Sequence, residues 1–137
     1  MKTIKELKER LIKEEGLELK PYRCTANKLT IGVGRNIEER GITEDEAMYL
    51  LSNDIDLVRD EVLKALPWVL KINTTAGLIL FDMAFNMGVP RLLHFKKTLQ
   101  YIKDEEYLKA SVEMLDSRWA AQVGRRAKDL SNLMAEL

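Results

Sequence analysis

The sequence predicts an α+β fold: a small N-terminal β-sheet lobe joined by one long helix to an all-helical lobe, with a cleft between them. Three observations predict it. Apolar residues recur at helical spacing over most of the chain. One stretch, residues 17–35, breaks that spacing with β-branched residues, glycines and a proline. A third run, from Ala47 to Leu66, keeps helical spacing long enough to join the strand-bearing lobe to the rest.

The elements follow in order. Ile4, Leu7, Leu11 and Ile12 repeat as a helix face, Thr3 and Glu6 read as a capping box, and Gly16 suits the left-handed residue past a helix end. Helix 1 is therefore expected over residues 3–15. Residues 17–35 predict a small antiparallel sheet with a turn near Ala26-Asn27 and a third short strand near 34–37. Thr43 and Glu46 form a second capping box, and Ala47, Leu51, Ile55, Val58, Val62 and Leu66 carry one long helix over 44–66 that Pro67 stops. Residues 74–87 are apolar nearly all round, which predicts a helix buried on most sides at the centre of the second lobe. Gly88 and Pro90 end it. Shorter helices are expected at about 93–102, 105–116 and 125–135, with Leu108, Val112, Leu115 and Trp119 sharing one face. The whole reads as a single domain, with lobes of about 14–43 and 67–137, helix 44–66 between them, and helix 1 packing on the helical lobe.

Length and composition agree with this and exclude alternatives. The chain has 137 residues, 46% hydrophobic and 32% charged, which suits one globular domain and excludes disordered or fibrous classes. Lys plus Arg number 22 and Asp plus Glu 22, so the net charge is zero and a basic nucleic-acid footprint is absent. One Cys and one His exclude an intramolecular disulfide framework and a Cys/His zinc site, and no metal or cofactor is expected. No apolar run approaches the ~18 residues of a membrane helix, and the charged N-terminus does not read as a signal peptide. No stable membrane association, no nucleic-acid partner and a monomer are expected.

The residues that carry chemistry lie between Glu15 and Arg35. Glu15 ends helix 1, Cys24 falls on the first strand or its turn, and Thr30 falls on the second strand. A hairpin lets Cys24 and Thr30 face one spot, and the end of helix 1 can set Glu15 across from them. An acid on one side and a nucleophile or water-orienting pair on the other is the layout of glycoside hydrolysis. Taken alone, Glu15 is a solvated helix end, Cys24 a small hydrophobe and Thr30 a strand former. Gly32 and Gly34 allow close strand packing or leave room for a sugar.

The motifs around these residues resemble glycoside hydrolase family 24, the phage-type lysozymes or endolysins. The family signature is a Glu, eight residues, an Asp or Cys, five residues, then a Thr, and Glu15, Cys24 and Thr30 match it without a gap. Lys20-Pro21-Tyr22, Thr30-Ile-Gly-Val-Gly34, Thr43-Glu-Asp-Glu-Ala47, Phe85-Asn-Met-Gly88, Phe95-x-x-Thr98-Leu99, Ser117-Arg-Trp119 and Gly124-Arg-Arg126 extend the likeness across most of the chain. The resemblance implies a lysozyme-like fold and cleavage of the β-1,4 bond between N-acetylmuramic acid and N-acetylglucosamine in bacterial peptidoglycan.

It implies Glu15 as general acid, Cys24 and Thr30 as the opposing catalytic pair, and Arg126 as the arginine that pairs with the catalytic Glu. Arg35, Phe85, Asn86 and Thr98 are its implied substrate contacts; the bland alternatives for Phe85 and Asn86 are core packing and a helix end. Cys24 stands where many members carry Asp. Thiolate attack gives a covalent intermediate and retention; activation of a water held by Thr30 gives inversion. Both stay open, with the nucleophilicity of sulfur favouring the first. Neighbouring Arg23, Lys28 or Arg35 are candidates to lower the thiol pKa.

Asp82, the single charge of the apolar helix, marks its side toward cleft or solvent. His94 reads as a surface residue, and Trp68 and Trp119 as core anchors. Only eight residues separate Gly34 from Thr43, so the longer insertion of some members is lacking. The expected protein is a soluble endolysin of a phage or prophage, held in the bacterial cytoplasm until a holin-type lesion admits it to the wall. The alternatives are a lytic transglycosylase and a non-catalytic peptidoglycan-binding module.

Overall fold

The computed structural model describes residues 1–137. The chain forms two compact units, Met1–Tyr49 and Leu50–Leu137. No helix is long and apolar enough to cross a membrane.

In the first unit, α1 spans Ile4–Glu15 and starts where the sequence places it: the Thr3 side chain accepts from the Glu6 amide. The Glu6 carboxylate takes the Lys2 amide, one residue earlier than a reciprocal capping box would. Strands β1 (Glu18–Arg23), β2 (Leu29–Gly32) and β3 (Arg35–Asn36) form an antiparallel sheet in that order. Tyr22 pairs with Thr30, and Thr30 with Asn36. Pro21 is tolerated because β1 is an edge strand, and the register slips between Glu18 and Tyr22 beside it. The turn sits where expected, with Asn27 at φ 58°.

A one-turn helix, α2 (Ile37–Arg40), follows β3. It is too short to show a period, so hydrophobic spacing does not reveal it. It exists through its ends: Asn36 Oδ1 accepts the Glu39 amide, and Gly41 at φ 64° closes it. The second capping box is reciprocal, with Glu46 N–H on Thr43 Oγ1 at 3.2 Å and Thr43 N–H on Glu46 Oε1 at 2.8 Å. It opens α3 (Glu44–Ala65), whose first turns belong to the first unit and whose remainder belongs to the second.

The second unit is helical. A 3-10 segment (Pro67–Lys71) follows α3, and Asn73 then caps α4 (Thr74–Met87) through the Thr75 and Ala76 amides. Around α4 pack α5 (Val89–Leu92), α6 (Lys96–Lys103), α7 (Tyr107–Leu115), α8 (Arg118–Val123) and α9 (Arg125–Ala135). Leu80 and Met83 of α4 meet Leu92, Ile102, Met114 and Met134 in a sealed core that Val62 of α3 joins. Pro90, read as a stop, lies in the first turn of α5, where its missing N–H costs nothing. Trp119 is buried and Trp68 packs partly buried on the core; Phe95 meets Trp119 edge-to-face at 6.1 Å.

One expected face is wrong. Leu108 and Val112 are 67% and 66% exposed and Leu115 45%, while α7 buries Ala110, Ser111 and Met114 instead. The reason is backbone approach. α7 and α9 pack closely, and small residues at the contact let the Ser131 hydroxyl donate to the Ser111 carbonyl at 2.8 Å. Trp119 does not continue that face. It sits on α8, a separate helix that Ser117 caps through the Ala120 amide.

Candidate active site

Glu15 is the last residue of α1, and Gly16 past it adopts φ 81°. The Glu15 carboxyl lies against Gly34. A Cβ built at Gly34 would stand 2.8 Å from Glu15 Oε2 and 3.3 Å from its carboxyl carbon, and Gly34 itself has φ +66°. The space at Gly34 therefore holds the side chain of Glu15, whereas a Cβ at Gly32 meets nothing within 4 Å. The second glycine of the Thr-Ile-Gly-Val-Gly run thus admits the carboxylate to the end of the strand that bears Thr30. Gly34→Ala is expected to displace Glu15 and to strain the turn by about 1–2 kcal/mol, lowering lytic turnover by about 100-fold, as misplacement of a reacting group does. Turbidity clearance of purified cell walls, set beside a thermal melt, reads both effects. Unchanged turnover would separate Glu15 from its contact with Gly34.

Cys24 follows β1 and opens the turn into β2. Its N–H donates to the Lys28 carbonyl at 3.0 Å, and the Asn27 N–H donates back to the Cys24 carbonyl at 2.8 Å. That closure folds the sulfur toward the Lys28 and Ala26 amides and the Thr30 side chain. The thiol pKa is lowered, first by the Lys28 backbone amide, then by the Thr30 side chain and the Ala26 amide. Thr30 is buried at 3% exposure on the central strand, and its hydroxyl donates to the Lys28 carbonyl at 2.8 Å. That hydroxyl has one proton, so it serves either the carbonyl or the sulfur at a given moment.

The cations expected to activate the thiol are largely engaged elsewhere. Arg23 pairs with Glu38 at 2.9 Å, and Lys28 with Glu39 at 2.8 Å and Glu38 at 3.7 Å. Arg35 pairs with Glu46 at 2.6 Å. Arg35 and the Thr43 amide hold the Glu46 carboxyl down to about 2. Arg35 thus ties β3 to the capping box that opens α3. The glutamates of α2, a helix without a periodic signal, are what occupy Arg23 and Lys28.

In the second unit, Arg126 of α9 is held by Asp82 of α4. Its Nε and Nη2 donate to Asp82 Oδ1 at 2.9 and 2.7 Å, and Nη2 also reaches the Asp82 carbonyl at 3.4 Å. Asp82 is the site residue to which the sequence assigns no role. Its one signal is its solitary charge in an apolar helix. Phe85 is 44% exposed and lines a groove of about 270 Å³ with Leu51, Ile55, Val58 and the Asp82–Arg126 pair. Asn86 has a structural partner: its Oδ1 accepts the Trp119 Nε1–H at 2.8 Å. Thr98 is 3% exposed and lines a separate cavity of about 650 Å³ with Met87, Phe95, Trp119, Lys97 and Arg118. His94, also on its wall, is exposed.

Comparison with known proteins assigns the chain to a family. The family described as phage lysozyme matches residues 12–135. The chain is 25% identical to "Probable T4-type lysozyme 1" and 22% identical to "Probable T4-type lysozyme 2", both of Dictyostelium discoideum, each match covering 90% of this chain and 90% of the relative. The matched span takes in Glu15, the thiol–hydroxyl turn and both helices that carry Asp82 and Arg126. The chain accordingly belongs to the phage lysozyme family and is a lysozyme-type glycoside hydrolase acting on peptidoglycan.

Proposed function

We propose that this hydrolase is a muramidase, cleaving the β-1,4 bond between N-acetylmuramic acid and N-acetylglucosamine, with Glu15 as general acid and Cys24 and Thr30 as the opposing pair. The observation that carries the proposal is the Cys24–Thr30 pair, a thiol with lowered pKa beside a hydroxyl on the central strand. Glu15 gives its proton to the leaving glycosidic oxygen. A water oriented by the Thr30 hydroxyl attacks the anomeric carbon from the opposite face and passes its proton to the Cys24 thiolate. The C–O bond breaks as the new one forms, leaving the Glu15 carboxylate and a neutral thiol, which exchange protons with solvent to reset.

The water route is preferred to sulfur attack for a chemical reason. A thiolate is a more basic, poorer leaving group than a carboxylate, so a thioglycoside intermediate would hydrolyse more slowly than a glycosyl ester, a slow step that the water route avoids. The water route produces inversion. Arg126 supports the acid, and Phe85, Asn86 and Thr98 contact the glycan or its peptide. Arg35, bound up with Glu46, contributes indirectly by fixing β3. In this proposal the protein acts as a monomer, as an endolysin of a phage or prophage released to the wall by a holin-type lesion.

The test is turbidity clearance of purified peptidoglycan with mass spectrometry of the fragments. Muramic acid reducing ends are expected. Anhydro-muramic ends would make it a lytic transglycosylase, and saturable binding without any fragments would make it a binding module.

A further inference from the structure

Arg126 has a partner on a neighbouring helix that holds it in three ways. Nε and Nη2 converge on one carboxylate oxygen of Asp82, and Nη2 adds the Asp82 carbonyl. An arginine side chain has large rotamer freedom, and a guanidinium tied along its Nε–Nη2 edge loses most of it. The opposite edge, Nη1, makes no hydrogen bond within the protein, so the guanidinium is presented in one orientation with donors to spare.

The holder is specific. Asp82 is the one charged residue of α4, a helix that otherwise places Ala76, Ile79, Leu80 and Met83 in the core. Of the other charged groups on the helices packed against α9, Lys109 pairs with Glu106, while Glu113 and Arg118 line the separate 650 Å³ cavity. An exposed ion pair contributes only about 0–1 kcal/mol to stability, and both partners here are 41% exposed. Stability therefore gives little reason for a lone carboxylate in an apolar helix.

We infer that Asp82 is a positioning residue of the hydrolase: it holds the Arg126 guanidinium so that its Nη1 edge is pre-oriented for the reaction. The inference rests on the proposed support of Glu15 by Arg126. Asp82 touches neither the acid nor the sugar in this scheme and acts only through the arginine.

A double-mutant cycle on soluble, uncrosslinked glycan strands tests it. Asp82→Asn is expected to lower kcat about 10-fold, in proportion to lost orientation, with KM unchanged and the thermal midpoint close to that of the parent. Asp82→Glu, which keeps the charge and can reach the same edge, is expected to restore most of the loss. Arg126→Gln is expected to cost more than Asp82→Asn, and the double variant no more than Arg126→Gln alone. Unchanged kcat in Asp82→Asn, or a double variant whose loss is the product of the two single losses, would overturn the inference. So would full activity in Arg126→Gln. Glu15→Gln serves as the control on the underlying reading. If it hydrolyses glycan normally, the proposed function has failed. If it is inactive while Asp82→Asn is normal, only the inference has failed.

Discussion

Glu15→Gln is expected to fold with an unchanged melting temperature and to lose lysis of purified peptidoglycan by about 1,000-fold, within the range that general-acid catalysis supplies. Glutamine keeps the volume that Gly34 accommodates and the helix-terminal position, since the contact of Glu15 with Gly34 is one of shape. It removes the transferable proton. The sugar alkoxide must then leave unprotonated, and the neighbouring carboxyl at that helix end, Glu14, is engaged by Arg10 at 3.0 Å. Turbidity clearance over time, with circular dichroism to confirm the fold, reads the outcome. Lysis at the parent rate would remove Glu15 from the acid role. Pairing it with Gly34→Ala separates chemistry from placement, because the glutamine variant fails with its side chain in position and the alanine variant fails with its proton intact.

Cys24 carries the second large effect. Complete alkylation is expected to stop lysis by more than about 100-fold, because the sulfur can then neither accept a proton nor orient water. Cys24→Asp is expected to stay within about 10-fold of the parent, since a carboxylate performs the same base role. The pH dependence distinguishes the two. A base works only once deprotonated, so the acid limb of the rate profile follows its pKa. In the parent that limb is expected below the ~8.5 of a free thiol, because the Lys28 amide, the Thr30 side chain and the Ala26 amide lower it. In Cys24→Asp it moves further toward acid, near the ~3.9 of an aspartate.

Thr30→Val removes one of the groups lowering the thiol pKa, so the midpoint for alkylation should rise. Full lysis by completely alkylated protein would exclude Cys24 from the mechanism. Nuclear magnetic resonance of the first-formed product reads its anomeric configuration: the inverted α-anomer agrees with the water route, and a retained β-anomer would mean a covalent sulfur intermediate instead.

Local signals in the chain located most elements. Thr3 and Thr43 cap helices at the predicted residues, Asn27 takes the left-handed turn position, and α4 runs over 74–87 as its nearly all-round apolar character predicts. Each of these is decided within a few residues, by a side-chain oxygen meeting an orphan amide or by apolar periodicity. The short helices α2, α5 and α8 are not legible in the chain, because one or two turns show no period and are held by caps and packing. The inward face of α7 departs from expectation for a related reason. Hydrophobicity ranks Leu108 and Val112 above Ala110 and Ser111, while close helix approach favours the smaller pair.

At the site, the chain by itself determined which residues are the candidates for the chemistry. The spacing of Glu15, Cys24 and Thr30, with a glycine-rich strand after them, resembles the family signature and so names them as the proposed acid and opposing pair, whatever the side chains touch. Only the tertiary structure decided their company: Gly34 making room for Glu15, Glu38, Glu39 and Glu46 drawing off the nearby cations, and Asp82 taking hold of Arg126 from 44 positions away. Identity along a chain is written in order, but electrostatic partnership depends on distance in space. Folding sets those distances between residues that no local pattern links.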